Sequence, residues 1–119
     1  MKKAILKRPK IYHYIIEVFD FDKKLLLNNR TLQPFINKII NALGLKIVKK
    51  TFFNFKPYGV TLIYIISESH LTVHTWPERN YLHIDLFACA MKQPNKPIKQ
   101  VIQSIFQTKN VRFKTLHYN

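Results

Sequence analysis

The chain has 119 residues, 47% of them apolar, and a net charge of +14 from 20 Lys and Arg against six Asp and Glu. Its length predicts one domain, spanning 1–119, with a small core, and its single cysteine, Cys89, excludes an internal disulfide and suits a reducing cytoplasm. No apolar run is long enough to span a bilayer, Ala4-Ile5-Leu6 is too short for a secretion signal, and the basic residues outside the Lys2 to Lys10 arm and Lys49-Lys50 are scattered without a legible nucleic-acid motif.

In chain order, residues 12–19 alternate as a strand. His13, Ile15, Glu17 and Phe19 share one face, and Tyr12, Tyr14, Ile16 and Val18 share the other. Residues 32–43 set Leu32, Phe35, Ile36, Ile39, Ile40 and Leu43 at helical spacing, with Pro34 in the first turn and Gly44 as the stop. Strands are predicted at 46–55 and 59–67, separated by Lys56-Pro57-Tyr58-Gly59. The run from Val60 to Ile66 is apolar enough to be buried on both faces. Strands at 70–75 and 81–89 follow. A second helix spans 97–108, with Ile98, Val101, Ile102, Ile105 and Phe106 on one side, and a last strand occupies about 110–117.

This order, β-α-β-β-β-β-α-β, predicts an α+β two-layer sandwich: a mainly antiparallel sheet with both helices on one face. The other sheet face needs a cover that the chain does not contain. Packing against the sheet of a second copy is a natural solution.

The acids are Glu17, Asp20, Asp22, Glu68, Glu78 and Asp85. They cluster around the first strand and around residues 67–85. In a chain this basic, a positively charged substrate would give a reason for that placement.

Residues 67–78 read SESHLTVHTWPE. A tight hairpin between the strands at 59–67 and 70–75 puts Glu68-Ser69 at its tip. His74 shares strand parity with His70 and Thr72. Alone, Ser-Glu-Ser-His would be an ordinary polar turn, His74 a packed histidine and Cys89 a small buried apolar group. The longer string, with Trp76, Pro77 and Glu78 in register, points elsewhere. With His13 and Glu17, Thr51-Phe52, Phe55-Lys-Pro-Tyr-Gly59-Val60 and Asp85-Leu-Phe-Ala-Cys89, it closely resembles the short prokaryotic-type S-adenosylmethionine decarboxylase proenzyme family.

The resemblance implies self-cleavage between Glu68 and Ser69 into chains 1–68 and 69–119. A hydroxyl can attack the adjacent carbonyl and turn the amide into an ester. Elimination then splits the chain, and Ser69 becomes a pyruvoyl cofactor that condenses with the substrate amine as a Schiff base. His74 is the candidate base for elimination. The family places a hydroxyl residue at the position of Thr61, in support of processing.

Cys89 matches the proton donor that returns a proton to the substrate carbon. Glu78 matches the residue that binds ribose hydroxyls, Phe55 the aromatic that stacks on adenine, and Glu17 an acid in the substrate region. No metal is implied. The family forms dimers with active sites between facing sheets, and the expected substrate is S-adenosylmethionine, for polyamine (spermidine) synthesis. Two alternatives stay open: an ornithine or arginine decarboxylase on the same scaffold, and an inactive basic nucleic-acid-binding homologue.

Overall fold

The structure, a computed structural model, describes residues 6–89 and 91–118; residues 2–5 of the basic arm lie outside the described residues. Among the described residues, six strands form one sheet: β1 Tyr12–Phe19, β2 Ile47–Asn54, β3 Val60–Ile66, β4 Ser69–Trp76, β5 Tyr81–Ala88 and β6 Val111–Leu116. Their order across the sheet is β2-β3-β4-β5-β1-β6. Every neighbouring pair is antiparallel. Two helices, α1 Asn29–Ala42 and α2 Ile98–Phe106, complete the predicted order.

Period-two alternation sets the two faces of the sheet. Ile16 and Val18 of β1, Leu62 and Tyr64 of β3, Leu71 and Val73 of β4, and Leu82, Ile84 and Leu86 of β5 all point into the core. They join one cluster with Leu32, Ile36, Ile39 and Ile40 of α1 and Ile98, Ile102 and Phe106 of α2. Both helices therefore cover the same face, as an α+β two-layer sandwich requires. The Tyr64 hydroxyl donates to Asn37 Oδ1 on α1 at 3.2 Å, and burial pushes its pKa up to about 12.

The opposite face is open. Ile63 is 39% exposed and Ile65 49%, so the Val60–Ile66 strand is buried on one face and not on both. The physical reason is that both helices lie on the other side, and an apolar strand does not choose which side its own chain covers.

Two further differences are local. α1 starts three residues before the apolar pattern because the Asn28 side chain accepts the Thr31 N–H at 3.2 Å and caps the helix there. Pro34 thus sits inside the helix rather than in its first turn. Short 3-10 helices at Lys23–Leu26 and Pro77–Arg79 are too brief to show a period in the sequence.

Thr75 ties three elements together on the buried side. Its Oγ1 accepts the Val60 N–H at 2.8 Å and donates to the Leu26 carbonyl at 3.1 Å. Replacing it with valine keeps the shape but leaves a buried N–H and a buried carbonyl unpaired. In a Ser69→Ala background, Thr75→Val is expected to lower unfolding stability by about 1–3 kcal/mol. A lower urea midpoint with an unchanged slope is the check.

Candidate active site

The β3–β4 connection is only Ser67-Glu68, because Ile66 pairs with Ser69 across the hairpin. Glu68 is left-handed, at φ 60, where a residue with a Cβ is strained by about 1–3 kcal/mol. The Ser67 N–H donates to the Lys46 carbonyl at 3.0 Å and anchors the turn. Ser69 is therefore the first residue of β4, immediately after the strained residue. Its hydroxyl oxygen accepts the Cys89 N–H at 3.2 Å. Cys89 follows the end of β5 as a half-buried free thiol. Antiparallel pairing of β4 with β5 thus makes neighbours of two sequence-predicted residues that are far apart along the chain.

A second group forms at the other end of β4. Thr61 and His74 are cross-strand partners on the open face, and Thr61 Oγ1 lies 2.9 Å from His74 Nδ1. They share a cleft of about 250 Å³ with Phe55, Tyr58, Trp76 and Glu78. Gly59 shapes its floor. At φ 102 it adopts a backbone that a side chain would resist, and its carbonyl accepts the Phe55 N–H at 2.8 Å. Buried Pro77 opens the 3-10 helix that carries Glu78, whose side chain stays exposed.

Glu17 lies beyond this cleft. Its Oε2 accepts the Tyr81 hydroxyl at 2.6 Å, and its Oε1 is 3.9 Å from Arg112 Nε. Burial, and then the bond to the Glu17 carboxylate, hold the Tyr81 hydroxyl well above its ordinary pKa, so it stays a donor. The Tyr81 ring meets Trp76 at 5.4 Å, which links Glu17 to the cleft wall.

The structure does not bring His74 to Ser69 within one chain. Five residue steps along the strand separate them, about 17 Å at about 3.4 Å each. Ser69 also shares parity with buried Leu71 and Val73, whereas His74 is on the open face. Sequence reasoning did not place Tyr58 and Trp76 as cleft walls. Strand parity with His74 was the available signal for Trp76; Tyr58 depends on how the 56–59 turn folds back and carried none.

A serine after a left-handed residue, its hydroxyl on the Cys89 N–H, and an aromatic cleft with one carboxylate mark a candidate active site on an α+β sandwich. The profile of the S-adenosylmethionine decarboxylase family matches residues 12–118. The chain belongs to that family. Its relatives include the S-adenosylmethionine decarboxylase proenzyme of Clostridium botulinum (strain Langeland), 36% identical over 105 residues, which are 88% of this chain and 90% of the relative. The proenzyme of the same name from Thermotoga petrophila is 44% identical over 77 residues, 65% of this chain. That match spans only 59% of the Thermotoga protein's length. Among solved structures, the adenosylmethionine decarboxylase of Aquifex aeolicus shares the fold, with a TM-score of 0.74, 16% identity, and coverage of 92% of this chain and 91% of that one.

Proposed function

We propose that this chain is a self-processing, pyruvoyl-dependent S-adenosylmethionine decarboxylase supplying the aminopropyl donor for polyamine synthesis. The observation that carries the reading is the Ser69 hydroxyl, held by Cys89 N–H directly after left-handed Glu68. In this reading the Ser69 oxygen attacks the Glu68 carbonyl, and release of the strained turn favours the resulting ester. Removal of the Ser69 Cα proton then splits the chain at that ester.

The residues around Ser69 fit a pyruvoyl group at position 69. That group supplies an electron sink for the electrons left by departing carbon dioxide. Cys89, whose backbone N–H holds the Ser69 hydroxyl, is the residue whose thiol would return a proton to the substrate carbon. Phe55 offers a face to adenine, and Glu78 accepts from the two ribose hydroxyls.

One copy cannot do all of this. Its nucleoside cleft and His74 lie about 17 Å or more from its own residue 69. A second copy, turned end for end with its sheet facing the first, would put its Ser69 over this cleft. The uncovered apolar side chains Ile63, Ile65 and Trp76 on the open face support that packing. The aromatic cleft favours a nucleoside-bearing substrate over ornithine or arginine, which have no flat base to stack.

Carbon dioxide release from S-adenosylmethionine is expected to exceed that from ornithine or arginine by far. Phe55→Ala and Glu78→Gln should each raise KM for it by about 5–30-fold, the equivalent of about 1–2 kcal/mol. Release from ornithine or arginine alone would overturn the substrate assignment and keep the reaction class.

The shared site has its own test. Ser69→Ala and His74→Ala chains, each uncut alone, are expected to yield cut product when refolded together. Mass analysis should show that the cut fragment carries the His74→Ala substitution. If only Ser69-bearing chains with their own His74 are ever cut, the shared arrangement is wrong.

A further inference from the structure

The open face carries one more complete hydrogen-bond chain, at the Ser69 end of the sheet. His13 Nε2 lies 2.9 Å from Asp85 Oδ1, and His13 Nδ1 lies 2.6 Å from the Tyr118 hydroxyl. Beside an ionised Asp85, which only accepts, a neutral His13 ring carries its proton on Nε2. Nδ1 of the neutral ring is then an acceptor, and the Tyr118 hydroxyl donates to it. This is the order of a hydroxyl–imidazole–carboxylate triad, with a phenol in the hydroxyl position.

Packing fixes the ring. Phe87 meets it edge-on at 5.4 Å, Tyr118 lies nearly parallel at 5.9 Å, and the His13 side chain is only 17% exposed. His13 pairs with Phe87, and Phe87 pairs with His70, the residue after Ser69. Two strand spacings, about 10 Å, separate β1 from β4. The other titratable groups facing this chain are Cys89 just after β5, Lys114 of β6, His70 beyond Phe87, and Arg8, whose guanidinium lies 5.9 Å over the Tyr118 ring.

We infer that Tyr118, His13 and Asp85 form a proton relay that takes a proton from the substrate's α-ammonium group before the amine reacts at residue 69. The inference rests on the decarboxylase reading above. An amine attacks a carbonyl only with its lone pair free. As the ammonium proton passes to the Tyr118 oxygen, the Tyr118 proton passes to His13 Nδ1. The imidazolium so formed is held by the Asp85 carboxylate. One proton has moved, no electrons are gained or lost, and the reverse transfer resets the relay at product release. Tyr118 is the group that touches substrate; His13 and Asp85 act through it.

The test is the pH profile of carbon dioxide release by processed Tyr118→Phe protein. General-base loss is expected to cost about 100-fold at neutral pH. The deficit should shrink as pH rises and the substrate amine becomes neutral unaided. Asp85→Asn should show the same alkaline recovery. An equal loss at every pH, or none, would overturn the relay.

A readout independent of turnover is the nitrogen NMR spectrum of His13 in uncut Ser69→Ala protein. The expected state is the Nε2-protonated tautomer, with the Nδ1 signal moving on Tyr118→Phe. The opposite tautomer overturns the relay alone, whereas wild-type protein that releases no carbon dioxide overturns the decarboxylase reading beneath it.

Discussion

Two residues between β3 and β4 determine which side chains this molecule can bring together. Because Ile66 pairs with Ser69, Thr61 falls opposite His74, and the rest of β4 is set by alternation. A slip of one residue would turn His74 into the helix-covered layer and push Leu71 and Val73 into solvent. Leu71 and Val73 are fully buried, and each such side chain contributes about 1.5–3 kcal/mol. Together they outweigh the strain of about 1–3 kcal/mol at left-handed Glu68. The sheet can therefore hold Glu68 in its left-handed conformation, directly before Ser69.

The same register divides the functional residues between two ends of the sheet. Ser69, Cys89 and the His13–Asp85–Tyr118 chain gather at one end, and Thr61, His74, Phe55 and Glu78 at the other. The open face between them carries apolar side chains that no helix covers. In the proposed function this division is resolved by a second copy, so that covering the face and completing the site are one event. A basic chain with acids at Glu17, Glu78 and Asp85 along that face is consistent with a cationic substrate between the sheets.

Much of this was legible in the sequence. Strand alternation at 12–19 and helical spacing from Leu32 to Leu43 mark elements that the core then confirms. The length of the β3–β4 turn was readable because SESHLTVHTWPE leaves little room between two apolar strands, but its position was not: the turn is Ser67-Glu68, and Ser69, expected at the tip, already pairs with Ile66. The partner of a side chain was harder. Cys89 beside Ser69, and Tyr81 on Glu17, depend on strand order, which pairs β4 with β5 and β5 with β1. Tyr118 on His13 depends on β6 joining the sheet edge beside β1, and no local pattern near residue 118 announces it. Nor does parity along β4 reveal distance: His74 and Ser69 sit in one short string and still lie about 17 Å apart.

Everything proposed for this chain depends on the Glu68-Ser69 bond, next to the left-handed Glu68 backbone, being the one that breaks. Intact-mass measurement of the purified wild-type protein tests it most directly. Two fragments are expected, residues 1–68 and 69–119, the second with a blocked, pyruvoyl-type N-terminus. A protein that remains one full-length chain after prolonged incubation would contradict it.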